Sequence, residues 1–401
     1  MTTVLDNDGM QILHGHVLDV LQSLSAQSVQ CVVTSPPYWG LRDYGLEPVV
    51  WGGEPGHEHE WGLPGPAHHP GQVEQTKWKN AEAAGKGQTA ASGAFCPCSA
   101  WRGSLGLEPT PDLYVEHLVA VFREVRRVLR DDGTLWLNLG DSYASSPPGN
   151  KATGIEKWAT SGLHGAKISE KYAATLDASV GKKSNTIAPG LKPKDLVGIP
   201  WMVAFALRAD GWYLRSDVIW AKPNPMPESV TDRPTKAHEY LFLLSKSAQY
   251  FYDGEAIKEP AIYAGKVVTL GEKSLSRGQA NGAGIAPSGN GAATSVVVAR
   301  GRNRRSVWRA DPSTDVWDIT TRPYKGAHFA TFPPALVTPC VLAGSRVGDV
   351  VMDPFVGSGT VMAVAKAHRR HAIGIELNLD YIQLAINRLF TTNDHDPLPP
   401  A

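Results

Sequence analysis

The chain has 401 residues, 42% of them hydrophobic and 19% charged, with Lys+Arg and Asp+Glu equal at 39 each. That length can bury a large core in two or three units, and a net charge of zero gives no sign of a polyanionic partner, so any such contact has to come from local clusters. Four cysteines are too few for a disulfide framework; with no basic-then-apolar leader and no run of membrane-spanning length, the chain reads as soluble and cytoplasmic.

Met10 to Leu13 is predicted as a strand, Leu18 to Leu24 as a short helix, and Val29 to Val33 as the next strand. The last of these runs into Thr34-Ser35-Pro36-Pro37-Tyr38-Trp39-Gly40. Proline has no N–H for a strand ladder, and Pro36 forces Ser35 into an extended conformation. The result is a stiff tip that leaves the Pro36 carbonyl free, with Ser35 and Tyr38 beside it. Read locally, it is either such a built tip or an ordinary loop punctuated by two prolines.

From about Gly45 to Leu107 the chain is rich in Gly, Pro, His and Trp without a sustained period, so 46–107 is predicted to be an insertion. It holds His57-Glu58-His59 and Cys96-Pro97-Cys98, four zinc-type ligands in a segment with little core of its own. The pairs are tighter than the usual C-x₂₋₄-C spacing, and a His-rich surface loop with two reduced cysteines is the competing reading. Thr110-Pro111-Asp112 has the form of a helix start. Tyr114, Leu118, Val121, Val125 and Val128 follow at helical spacing, and Asp132-Gly133 is predicted to end that helix before the strand Thr134–Leu139.

Residues 144–195 are rich in Gly, Ser, Lys and Ala and read as a flexible loop. A helix over Trp201–Ala209 and strands over Trp212–Trp220 and Tyr240–Leu244 complete this part, and 259–299 reads as a mobile linker. Within Ala299–Arg309 stand Arg302, Arg304 and Arg305, suited to phosphate contacts or to simple solvation. Helices over Phe332–Leu342, Thr360–Ala367 and Leu379–Phe390 alternate with strands over Val350–Met352 and His371–Ile375, ahead of a short tail, 392–401. Alternation of this kind means an α/β fold with a mostly parallel sheet flanked by helices and interrupted by long insertions.

The strand at Val350 runs into Asp353-Pro354-Phe355-Val356-Gly357-Ser358-Gly359-Thr360 and a helix. The glycines let backbone approach a ligand closely, and the absence of Gly-Lys-Ser/Thr argues against a Walker phosphate loop. Glu376, one strand later, is placed to take ribose hydroxyls. The ligand is then a nucleoside.

DPFVGSGT followed by GIEL, together with TSPPY, resembles the S-adenosylmethionine-dependent amino-methyltransferases of DNA, in the permuted order that places the Ser-Pro-Pro-Tyr segment first. The resemblance covers about two-thirds of the chain. It implies a Rossmann-like methyltransferase domain whose catalytic half spans 1–45 and 108–143 and whose sheet ends over 196–258. The basic segment and cofactor-binding half span 300–391, and target recognition lies in the insertions. It implies catalytic roles for Ser35, Pro36, Pro37 and Tyr38, with Tyr38 and Trp39 stacking on a flipped base. Cofactor roles carry over to Asp353, Phe355, Gly357, Ser358, Gly359, Thr360 and Glu376, and to Phe332 in the segment His328–Pro333. Where the family usually has Gly-Asp after the first strand, this chain has Gly15-His16. His16 either meets the cofactor's adenine or is a solvated loop histidine. The resemblance also implies double-stranded DNA as substrate and a cognate restriction enzyme as a possible partner. Serine before Pro-Pro-Tyr leans toward cytosine N4, with adenine N6 open, and a catalytically weak nucleic-acid-binding relative is the alternative of another class.

Overall fold

The computed structural model describes residues 2–41, 43–62, 94–144, 190–222, 225, 228–260, 267–270, 294–297, 301–304, 306–308 and 333–390. It opens with a hairpin, β1 (Thr2–Asn7) against β2 (Met10–His14). Asp8 and Gly9 both take positive φ, 52° and 73°, as a two-residue Asp-Gly hairpin requires. β1 is exposed along most of its length and lacks an apolar face, which is why no strand was expected there.

After α1 (Val17–Ser23) comes β3 (Val29–Thr34), buried at every position. Continuous burial is what a strand covered on both faces shows. A small antiparallel sheet follows, β4 (Val49–Trp51), β5 (Ala94–Phe95) and β6 (Trp101–Gly103), in the order β4-β6-β5. α2 (Pro111–Val128) starts where the sequence places it, with Thr110 Oγ1 accepting from Leu113 N at 3.3 Å. β7 (Leu129–Leu139) follows at once. Asp132-Gly133 therefore does not end the helix: it lies inside β7, where the ladder to β3 slips between Val29 and Cys31. A bulge and a helix stop favour the same residues. Gly133 is needed there, because a Cβ would stand 2.6 Å from Leu129 Cγ.

α3 (Ile199–Ala209), β8 (Tyr213–Ala221) and β9 (His238–Ser245) follow as expected to within a few residues. The segment read as a mobile linker contains structure: β10 (Glu259–Pro260) pairs with β13 (Gly301–Arg302), and β11 (Val267–Leu270) pairs with β12 (Thr294–Val297). β14 (Val307–Trp308), α4 (Pro334–Gly344), β15 (Val350–Asp353), α5 (Thr360–Ala367), β16 (His371–Glu376) and α6 (Leu379–Phe390) complete the described elements. Most of the predicted loop at 144–195 lies outside the described residues.

Among the described residues the main sheet has nine strands, in the order β1-β2-β16-β15-β3-β7-β9-β8-β14. β2, β16, β15, β3 and β7 run parallel, and β9 is antiparallel to both neighbours. Successive residues of β3 feed opposite cores. Val32 joins one with α1, α2 and α3, while Cys31 and Val33 join another with α4, α5 and α6. Trp51 and Trp101 extend the first core into the insertion.

Candidate active site

β3 and β15 lie side by side, Val351 opposite Cys31 and Met352 opposite Val32. Their C-terminal ends therefore emerge together, as ligand sites of parallel sheets do. There Thr34 Oγ1 donates to Asp353 Oδ1 at 2.7 Å, both residues being buried, and Phe355 N donates to the same oxygen at 3.0 Å. Burial pushes the Asp353 carboxyl up to about 7, against the pull of these two hydrogen bonds. One side chain from each motif thus stitches them into one locus.

The Ser-Pro-Pro-Tyr loop is held from several sides. Tyr38 Oη donates to Glu239 Oε2 at 2.8 Å. Asn138 Nδ2 donates to the same Glu239 oxygen at 2.9 Å and also to Tyr38 Oη. Ser35 Oγ donates to Tyr38 Oη at 3.2 Å, and Lys222 pairs with Glu239. Burial, then the Glu239 carboxylate, holds the Tyr38 phenol well above its ordinary value, so it stays neutral and able to donate. Tyr114 Oη fixes the Pro37 carbonyl at 2.7 Å. The Tyr38 ring lies on Gly140, where a Cβ would come within 2.5 Å of it.

Asn138, Glu239, Lys222, Thr34 and Tyr114 were not anticipated at the site. Asn138 carried a signal: an amide inside the apolar run Leu135–Leu139, 1% exposed, needs partners. Glu239 carried little, since a lone acid at the start of a strand is ordinary.

At the other motif, Glu376 ends β16 beside His14 of β2. Its Oε2 accepts from Gly357 N at 2.9 Å, and its Oε1 from Leu377 N at 3.0 Å and Asn378 N at 2.9 Å. Burial raises its pKa, and the three N–H groups oppose the shift. A carboxylate offers about four acceptor positions, so one remains for a ligand hydroxyl. Gly359 caps α5 at φ 79°. The hydroxyls of Ser358 and Thr360 accept from Arg388 Nη1 at 3.3 and 2.7 Å, which turns them toward α6.

His16 is not a solvated loop histidine. Its side chain is 12% exposed and meets the Trp51 ring edge-on at 4.6 Å, and burial lowers its pKa despite Asp19 nearby. It follows Gly15, whose N donates to Glu376 O at 3.2 Å, so it stands at the Glu376 end of the sheet. Trp39 is partly buried and donates from Nε1 to Glu108 O at 2.9 Å.

Phe332 and Arg305 lie outside the described residues, and Arg302 is described only as part of β13. Arg304 is partly buried, which lowers its pKa, with Glu259 close enough to oppose the shift. His57, His59, Cys96 and Cys98 come together, their ligand atoms all within 4.8 Å of one another.

Known proteins give the arrangement a context. A family model described as DNA methylase matches residues 29–387. The chain is 39% identical over 387 residues to Type II methyltransferase M.XycI of Xanthomonas campestris pv. cyanopsidis, covering 96% of this chain and 90% of that protein. It is 38% identical over 385 residues to Type II methyltransferase M.Cfr9I of Citrobacter freundii, covering 96% and 89%. Among solved structures, PvuII DNA methyltransferase (cytosine-N4-specific) aligns with a TM-score of 0.50 at 14% identity, over 96% of this chain and 87% of that one, a likeness of fold. No helix of the described residues is long and apolar enough to cross a membrane.

Proposed function

We propose that this chain, which belongs to the DNA methylase family of S-adenosylmethionine-dependent amino-methyltransferases, methylates the exocyclic amine of a base flipped out of duplex DNA, with cytosine N4 the favoured target. The observation that carries the reading is the Thr34–Asp353 hydrogen bond at 2.7 Å, which sets Ser35 one residue from the cofactor motif. Two identified Type II relatives, matched along nearly the whole chain, support it.

S-adenosylmethionine supplies an electrophilic methyl group on a cationic sulfur. Glu376 has acceptor capacity left for one ribose hydroxyl, and Asp353 is the carboxyl nearest the junction with the base site. Phe355, partly buried between them in sequence, offers an apolar wall. His16, with a buried ring at the Glu376 end, would meet the adenine. Ser358 and Thr360 serve through their backbone and hold the loop to α6 through Arg388.

An exocyclic amine is a poor nucleophile because its lone pair is delocalised into the ring. Ser35 Oγ and the Pro36 carbonyl accept its two N–H groups and favour a pyramidal nitrogen, which frees the lone pair. This is catalysis by orientation and local polarisation. Asn138 and Tyr38 hold Ser35, and Glu239 with Lys222 holds Tyr38. After transfer the nitrogen carries one proton too many. The line from Ser35 through Tyr38 to Glu239 runs donor to acceptor at each step and gives that proton an exit. The target must leave the stack to reach this pocket, where the Tyr38 ring is available to it.

Serine at position 35 favours cytosine, and the same acceptors would serve adenine N6. A cognate restriction enzyme is the possible partner carried over from the family resemblance, and the insertions 46–107 and 144–195 are the candidate target readers. The test is mass spectrometry of nucleosides from unmethylated duplex DNA incubated with the protein and S-adenosylmethionine. N4-methylcytosine is expected. N6-methyladenine would overturn the choice of base, and methylation of RNA in preference to DNA would overturn the substrate.

A further inference from the structure

Among the described residues, the insertion that follows the catalytic loop holds a sheet of three strands of two or three residues each, below what stands alone in water. Yet at one end of it four side chains converge. His57 and His59 flank Glu58, and their rings meet edge-on at 5.5 Å. Cys96 and Cys98 flank Pro97 in a tight turn, in which Ser99 N donates to Cys96 O and Cys96 N to Ala100 O, both at 2.9 Å. Ser99 and Gly53 take positive φ, 68° and 84°. A Cβ on Gly53 would stand 3.1 Å from Cys98 Sγ and 2.6 Å from Ala100 Cβ, so the two halves of the cluster close on each other only because that residue is glycine.

The ligand atoms, two imidazole nitrogens and two sulfurs, all lie within 4.8 Å of one another. A tetrahedral zinc ion sets its ligands about 3.3–3.8 Å apart, given bonds of about 2.0–2.3 Å. Cys98 Sγ and His59 Nδ1 are already 3.4 Å apart. Two thiolates and two imidazoles select zinc and leave no open position for chemistry.

From this cluster a continuous line of contacts reaches the catalytic loop. Trp101, five residues after Cys96, pairs with Trp51 across β6 and β4, and both rings stack on His117, at 5.4 and 4.9 Å. His117 Nδ1 meets Glu108 Oε1 at 2.9 Å, and Glu108 Oε2 takes Gly106 N at 2.8 Å. Gly106 O in turn accepts from Gly40 N at 2.8 Å, and Glu108 O from Trp39 Nε1 at 2.9 Å. These last two contacts grip the residues directly after Tyr38.

We propose that His57, His59, Cys96 and Cys98 form a structural zinc site that staples the insertion together and thereby backs the Ser-Pro-Pro-Tyr loop. The metal takes no part in methyl transfer. Its role stands whichever base is the target, and whether or not the transfer reading holds.

The experiment is metal analysis of the full chain purified under reducing conditions without chelator, followed by removal of the metal and titration with zinc and with cobalt. Stoichiometric zinc is expected, with a thiolate-to-cobalt charge-transfer band on substitution. Cys98→Ser and His59→Ala should each weaken zinc and cobalt uptake, and Cys98→Ser, which removes one of the two thiolates, should also reduce the band. Stripping the metal should expose the described part of 46–107 to protease while the sheet stays resistant, and added zinc should restore protection. A reduced, folded wild-type chain that is isolated without zinc and takes up neither ion overturns the proposal. So does a Cys96–Cys98 disulfide in the isolated protein. These readouts need no variant to fold, because the wild-type chain alone can fail them.

Discussion

The Asp353 carboxyl ties β15 to Thr34, and under the proposed function it also faces the cationic methyl donor. Its pKa in the folded chain stands at about 7, raised by burial from 3.8. A carboxyl raised on folding favours the native state while it is protonated. That contribution is fully present below the ordinary value and is lost as pH rises through about 7. Asp353→Asn should therefore flatten the fall in unfolding free energy over that window, measured by denaturant titration, an effect on the order of a few kcal/mol. A cationic ligand reverses the preference, because it favours the carboxylate. Cofactor affinity should rise with pH through the same window in the wild type and stay level in Asp353→Asn, as calorimetry on either side of about pH 7 will show. Gly140 makes a separate prediction. Its Cβ would meet the Tyr38 ring at 2.5 Å, so Gly140→Ala should slow single-turnover transfer on the order of tenfold to a hundredfold, the scale of a misplaced reacting group, with cofactor affinity unchanged. The two loops that meet at Thr34 and Asp353 were legible in the sequence as places where a strand ends in turn-forming residues. Their partners Asn138 and Glu239 were not, because hydrogen-bond partners come from strands whose pairing a one-dimensional pattern does not contain.

At the scale of elements, the buried strands and the amphipathic helices followed from continuous apolar runs and helical spacing. The start of α2 is the clearest case: Thr110 caps, Pro111 enters the first turn, and Tyr114 reaches the Pro37 carbonyl at 2.7 Å. Thr110→Ala should cost about 1 kcal/mol, read as a shift of the urea midpoint without a change in slope. One misreading here has a physical cause. Asp132-Gly133 has the composition of a helix stop and the position of a bulge, and only the register with β3 distinguishes them. The described strands of the insertion are too short to show a period, and around them Trp51, Trp101 and His117 pack as a group.

At the scale of the molecule, the sheet brings together residues 319 positions apart, Thr34 and Asp353. Composition and spacing do not encode strand order, so they do not show that neighbourhood. The zero net charge places the burden of DNA binding on local clusters. Replacing Arg302 and Arg305 together by alanine should weaken binding alike across DNA sequences and lower the salt slope by about 2; an unchanged slope in a filter or anisotropy titration would remove this segment from the interface. Under the proposed function the two motifs make one site with divided labour, a Ser35 half for the amine and a Glu376 half for the donor. The most direct measurement is a pair of numbers on each of two variants, single-turnover methyl transfer to DNA and affinity for S-adenosylmethionine. Ser35→Ala should lose transfer on the order of tenfold or more and keep its cofactor affinity, while Glu376→Ala should lose cofactor affinity. Wild-type transfer by Ser35→Ala would contradict the account, because the chemistry would then lie away from the loop that this fold holds so firmly in place.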